Sequence, residues 1–359
     1  MNVIASIVVL GLLIFFHESG HFLAAKLQGI RVSGFSIGFG PAIIKKDFKD
    51  VTYSIRALPL GGFVSFPDAK ENQDISPEDP NLLGNRPIHQ RLFVISAGVI
   101  ANLLIAWMVL FCQGAFIGLP SEPEPGVLIM SIQQEGAAAK AGLAPGDKIL
   151  SINGESLGSG KEAVKSLVRQ IQGFPGEILN LERISNNKKS IVEITPINYL
   201  GQGKVGAQLQ QNISESTHKA SGLKEVLIHT SNQFLELLGQ TIKGYKGLIT
   251  DFSSTSKQMS GPVKIVEIGA QFSSQGISGL LLFAALISIN LAVLNSLPFP
   301  LLDGGQFTLI LIEGIRGKPI PEKIQLAFMQ SGFIILVGLS LVLIIRDTTQ
   351  LNIFKQISP

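Results

Sequence analysis

The sequence predicts a polytopic α-helical membrane protein: four transmembrane helices, a membrane-associated β region and an inserted extracytoplasmic α+β domain. Three observations carry this prediction. Stretches near 3–26, 93–119, 279–297 and 331–346 approach or exceed the ~20 apolar residues that cross a bilayer. Hydrophobic residues make up 46% of the 359-residue chain and charged residues only 15%, against about a quarter charged in ordinary soluble proteins. Between the second and third apolar stretches runs a long segment of soluble character, punctuated by tight-turn signals.

The first span, in residues 1–28, has no Lys or Arg before Lys26 and no convincing small-residue cleavage site, so it reads as a retained helix rather than a signal peptide. Residues 29–91 follow. Here GIRVSGFSIGFGPAIIKK and VTYSIRALPLGGFVSF mix β-formers with glycines, predicting two or more short strands with turns. These strands are apolar enough to dip into the membrane, provided protein covers their backbone groups. Residues 67–91 read as a polar connector. The second span falls in 92–119, and the soluble domain in 120–200. Ala137–Ala141 predicts a helical turn, Leu143–Asp147 a tight turn, Ile149–Ile152 a strand, Asn153-Gly154 a hairpin turn, Glu162–Gln172 an amphipathic helix and Ile191–Ile197 a last strand.

Residues 201–278 read as a linker with an amphipathic helix near 222–249, which either lies along the bilayer surface or packs on the soluble domain. Ser260-Gly261-Pro262 reads as a helix start. The third span and its following loop occupy 279–330, and the fourth span and tail 331–359. Basic residues set the orientation. Lys26, Arg31, Lys45, Lys46, Lys49, Arg56, Lys70, Arg86 and Arg91 lie on or between spans one and two, and Arg316, Lys318 and Lys323 between spans three and four. The positive-inside tendency puts both loops in the cytoplasm and both termini, with the soluble domain, outside.

A net charge of +3 is too small to argue for nucleic acid, and a single cysteine, Cys112, excludes an internal disulfide or a cysteine zinc knuckle. Any metal must be held by His, Asp or Glu. His17-Glu18-Ser19-Gly20-His21 is H-E-x-x-H. On a helix both imidazoles share a face and grip one ion, with Glu18 beside them to take a proton from water. Zinc is the usual ion for such nitrogen and oxygen sites. About 14 residues precede His17, or ~21 Å of helix, which sets the motif past the bilayer middle. Ionisable groups at that depth are functional by default, and two histidines and a glutamate are costly as mere helix glue.

A third ligand is needed. His89, His218 and His229 lie in polar or surface-like stretches. Asp303, in NSLPFPLLDGGQ, is better placed: Pro298 and Pro300 end the third span, an extended run follows, and Gly304-Gly305 allow close backbone approach. As a lone motif, L-D-G-G is also consistent with a helix cap on QFTLILIEGI.

The segment EGAAAKAGLAPGDKILSINGE resembles a PDZ domain, a module that binds an extended peptide end by strand addition. HESGH in the first span, this insert, SGPVKI and N-x-x-P-x-P-x-L-D-G-G together resemble the site-2 protease family, in the arrangement of its RseP type (regulator of sigma-E protease), over nearly the whole chain. The resemblance implies an intramembrane zinc metalloprotease. His17, His21 and Asp303 would be the Zn²⁺ ligands and Glu18 the general base. It further implies that the segments holding Gly62 and Phe63 present the substrate backbone as an added strand, and that Asn295 and Asn102 face the substrate. Expected partners are the lipid bilayer and transmembrane proteins or peptides, such as anti-sigma factors or signal-peptide remnants, already trimmed outside. The expected location is a bacterial inner membrane, with the active site towards the cytoplasm.

Two departures stand out. There is room for one PDZ module rather than two, and the second-span motif reads Ala97-Gly98-Val99-Ile100-Ala101-Asn102, without the family's proline. Two rivals are weaker. A silent PDZ scaffold would be expected to lose ligands that this chain retains, and a metal transporter would need a longer polar path than Asn102, Asn290 and Asn295 provide.

Overall fold

The computed structural model describes residues 2–67, 75–120, 123–133, 136–185, 188–199, 201–212, 217–250 and 261–350. Part of the connector at 67–91, Ser260 and the tail beyond 350 lie outside them. In chain order the elements are α1 (Asn2–Leu27), β1 (Gly34–Phe48), β2 (Val51–Ser65), α2 (Ile88–Cys112), β3 (Leu119–Pro120), β4 (Val127–Ile132), α3 (Ala137–Lys140), β5 (Lys148–Ile152), β6 (Glu155–Ser156) and α4 (Gly160–Gly173). They continue with β7 (Leu179–Ser185), β8 (Lys188–Ile194), β9 (Ile197–Tyr199), β10 (Gln202–Lys204), β11 (Ala207–Gln211), β12 (Thr217–His218) and α5 (Leu223–Thr250). Last come α6 (Pro262–Ser274), α7 (Gly276–Ser296), α8 (Asp303–Arg316) and α9 (Glu322–Gln350). The chain divides into two units, 1–116 with 222–359, and 117–221.

Among the described residues, four helices are long and apolar enough to cross a membrane: Asn2–Leu27, Ile88–Ile117, Gly276–Ser296 and Glu322–Leu343. The last begins nine residues before the predicted span, because its first turns, EKIQLAFMQ, are polar on one face and fall below the apolar density of a span. Helix α1 stops where Gly29 takes φ +68°, and the Ile30 N–H returns to the Ala25 carbonyl at 2.9 Å, a left-handed glycine stop. The chain then enters the β region. Its two 15-residue strands each fold back on themselves. Residues 42–48 pair with 51–56, and Gly34–Ile37 lie between Thr52–Ile55 on one side and Gly62–Ser65 on the other. The prediction of several short strands is met by this doubling. Segment Gly62–Ser65 is an edge, with no further strand on its outer side among the described residues.

The amphipathic helix α5 packs within the helical unit. Phe234, Leu237, Leu238 and Tyr245 pack on Ala106, Ile289 and Val293 of α2 and α7. Trp107 donates to Ser231 Oγ at 3.3 Å, and Tyr245 to Asn290 Oδ1 at 2.8 Å. Its apolar stripe was legible in the sequence; its partner was not, since the groove that receives it exists only once α2 and α7 pair.

The unit 117–221 is built on a sheet of order β11-β4-β5-β7-β8, with β6 on β5. Its core, including Val127, Ile129, Ile149, Ile152, Leu167, Ile171, Leu179, Leu181 and Ile194, is fed by the inward faces of these strands and of α4. The predicted hairpin turn is present: Asn153 and Gly154 have φ of 52° and 84°, the positive pair a two-residue turn demands. Asp147 closes the preceding turn, accepting from the Ala144 N–H at 2.9 Å. The domain runs past the expected end at 200. Strand β11 forms the sheet edge beside β4. Its sequence, AQLQQ, is too polar and short to register as a strand by pattern.

Candidate metal centre

Helix α1 brings His17 and His21 to one face, one turn apart, and both are nearly buried, at 9% and 7% exposed. Asp303 reaches them from the first position of α8. The approach depends on the glycines behind it. A methyl at Gly304 would collide with the carbonyls of Ser296 and Leu297, and one at Gly305 with that of Phe299. The link from α7 is therefore shorter and more tightly coiled than the predicted extended run. Leu301 takes φ +71° within it, and Asp303 itself opens a helix. The cap position belongs to Leu302, and Asp303 is the first helical residue, its carboxylate turned to the histidines instead of capping the helix.

Asp303 Oδ2 lies 3.3 Å from His17 Nε2 and 3.3 Å from His21 Nε2, and the two imidazole nitrogens are 3.4 Å apart. The His21 Nδ1–H donates to the Val94 carbonyl at 2.9 Å, which leaves a lone pair on Nε2. Acceptors would thus crowd one point from three directions, and Asp303 Oδ2 is buried without a hydrogen-bond partner. A cation resolves this. Tetrahedral zinc with ligands at about 2.0–2.1 Å separates them by about 3.3–3.4 Å, the spacing found between these three atoms. The residues present fit zinc, and no other group of three His, Cys, Asp or Glu among the described residues is arranged to hold a metal.

Glu18 is 7% exposed and lines the same cavity of about 380 Å³. The wall includes Ile14, Gly62, Phe63, Asn295, Leu302 and Gln306. The β region's edge therefore borders the cavity directly: a Cβ at Gly62 would sit 2.8 Å from Glu18 Cγ. Asn295 Nδ2 lies 3.3 Å from His17 Nε2. Of the sequence candidates, His17, Glu18, His21, Asp303, Asn295, Gly62 and Phe63 converge here. Asn102 does not line the cavity. It has no exposed surface and stands behind His17, its Nδ2 3.1 Å from Nδ1.

Two contributors escaped the sequence reading: the Val94 carbonyl, which no side-chain pattern reports, and Gly98. A Cβ at Gly98 would fall on His21 Nε2. The small pair Ala97-Gly98 inside an apolar helix was the available signal of close helix approach.

The pattern of peptidase family M50 matches residues 5–339. A relative from Nostoc sp. that bears a zinc-metalloprotease name is 45% identical over 98% of this chain and 97% of its own. The membrane metalloprotease ARASP, chloroplastic, of Arabidopsis thaliana is 41% identical over 99% of this chain and 80% of its own. The zinc metalloprotease RasP of Geobacillus kaustophilus is 30% identical over 96% and 97%.

Proposed function

The chain belongs to peptidase family M50, the site-2 proteases, and is a zinc metalloprotease; on that premise we propose that it hydrolyses peptide bonds in or near the transmembrane segments of single-span membrane proteins already trimmed outside the bilayer. One observation carries the reading. Two histidines, an aspartate and a glutamate converge inside an apolar helix bundle, beside an open strand edge.

His17, His21 and Asp303 would hold the zinc. When bound, zinc supplies a Lewis acid that polarises the scissile carbonyl and acidifies water. Glu18, beside the three ligand side chains, would take a proton from the attacking water and hand it to the leaving amine. Its side chain lies beside Gly62, where a Cβ would collide with it, and lines the cavity. A peptide bond inside a helix is shielded by its own turns, so the substrate must first unwind. Gly62–Ser65 offer it a strand to pair with, at the level of Glu18. Phe63 and Asn295 line the path, Asn295 with an amide that can donate to the substrate backbone.

By the positive-inside tendency, the loops carrying Lys45, Lys46, Arg86, Arg91, Arg316 and Lys318 are cytoplasmic, in a bacterial inner membrane. The inserted 117–221 unit is then extracytoplasmic. As a PDZ-like module it excludes bulky ectodomains or binds a newly made C-terminus.

The test uses purified protein in detergent with a model single-span substrate lacking its ectodomain. Cleavage by wild type, abolished both by Glu18→Gln and by a zinc chelator, is expected. Cleavage that survives Glu18→Gln would remove the glutamate from the reaction.

A further inference from the structure

We propose that Asn102 is a positioning residue for the metal ligand His17: its side-chain oxygen accepts a hydrogen bond from His17 Nδ1–H and thereby aims Nε2 at the ion. The inference rests on the zinc reading of the site.

Three observations lead to it. First, His17 Nε2 converges with His21 Nε2 and Asp303 Oδ2, so Nε2 must carry a lone pair. A neutral imidazole with a free Nε2 holds its proton on Nδ1. Second, the group facing Nδ1 is the carboxamide of Asn102, at 3.1 Å, with its nitrogen towards the ring. Two donors would then face each other. Third, Asn102 Oδ1 makes no hydrogen bond where it stands, so turning the carboxamide over breaks none. Turning the carboxamide over answers the first two points together: the oxygen receives the Nδ1 proton, and the donor clash disappears. Amide oxygen and nitrogen are nearly isosteric, so the turn needs no other movement.

The neighbouring ligand supplies the same device by another route, since His21 Nδ1–H donates to the Val94 carbonyl at 2.9 Å. Both acceptors belong to α2, one from its backbone and one from a side chain two turns later. Asn102 is itself held in place: its own main-chain carbonyl accepts from Ser288 Oγ of α7 at 2.8 Å. One residue thus links the second and third apolar helices to the ligand on the first. A partner on the remote nitrogen of a ligating histidine fixes ring orientation and raises its basicity, and its loss costs about 10–100-fold in metal affinity or activity.

The experiment measures zinc affinity of the full chain in detergent by competition with a graded chelator, and thermal melting of the same samples. Asn102→Leu keeps the bulk and removes the acceptor; Asn102→Asp keeps an acceptor and cannot donate. Asn102→Leu is expected to hold zinc about 10–100-fold more weakly, and Asn102→Asp to hold it like wild type. Wild-type affinity in Asn102→Leu overturns the proposal. So does equal loss in Asn102→Asp when it melts like wild type, because that pattern marks Asn102 as a donor or a packing residue. Should the aspartate not fold, Asn102→Ala beside Asn102→Leu decides, and full affinity in either overturns it. A wild-type chain that binds no zinc would instead bring down the metal reading, and this inference with it.

Discussion

Gly98 of the second helix lies against the imidazole of His21 so closely that a side chain there would occupy the position of Nε2. Helix packing and metal binding are thus one constraint at this point. Alanine is normally better in a helix than glycine by about 1 kcal/mol. Gly98→Ala is therefore expected to leave helix content intact while expelling His21 from the ligand position. Zinc content of the purified variant, by elemental analysis, should fall well below one per chain, and proteolysis should fall with it. Full zinc occupancy in Gly98→Ala would mean that the helices separate without cost to the site.

Gly62 makes the corresponding demand on the base. A Cβ there would approach Glu18 Cγ and the Ser36 carbonyl to 2.8 Å each. Gly62→Ala should displace the carboxylate without touching a ligand. The expected signature is normal zinc content with kcat reduced by about 10²-fold or more, in line with a misplaced general base. A variant that lost zinc and activity in parallel would show that the strand supports the ligands rather than Glu18.

Glu313 is 7% exposed and gathers three elements. It pairs with Arg91 of α2 at 2.8 Å and accepts from the Ile320 N–H at 3.2 Å and from Gln325 of α9 at 3.4 Å. Because α8 begins with Asp303, the proposed third ligand, and carries Glu313 near its other end, this carboxylate holds the far end of that helix. Glu313→Ala leaves Arg91 unpaired and should cost about 3 kcal/mol, the range for breaking a buried pair from one side. The double variant Arg91→Met, Glu313→Leu should recover much of that loss in thermal melting. Melting of Glu313→Ala within a degree of wild type would assign the pair no structural weight.

The parts of this protein that were legible in sequence are those with local causes. Apolar runs declare the spans, H-E-x-x-H sets two histidines on one face by helical repeat alone, and Asn153-Gly154 demands a positive-φ turn. Asp303 was singled out because its glycines and prolines announce close approach, and the helix on QFTLILIEGI that the same motif allowed is present, beginning at Asp303 itself. What stayed hidden depends on contacts between distant segments. The groove for α5 arises only when α2 and α7 meet. The groups behind His17 and His21 lie on another helix, and one of them is a main-chain carbonyl that carries no side-chain signal. Strand β11 is recruited by the free edge of β4 rather than by its own glutamine-rich composition.

The soluble unit carries its own pH dependence through Asp147. The side chain is 2% exposed. Burial pushes its carboxyl up, but hydrogen bonds from Ser185, the Ala144 N–H and Arg183, together with the Arg183 charge at 2.7 Å, outweigh burial and hold it below the ordinary carboxylate range. A carboxyl depressed by folding binds its proton more readily in the unfolded chain, whose Asp titrates near pH ~3.9. The stabilisation is therefore complete above about pH 4 and is lost as pH falls through the lower folded value. Asp147→Asn should melt below wild type at pH 7, and the gap should narrow steadily as the pH is taken below about 4. Thermal melting of both chains across that range reads the effect. A gap that stays constant with pH would mean that Asp147 acts through its neutral hydrogen bonds alone, and that the Arg183 pair contributes nothing to the fold.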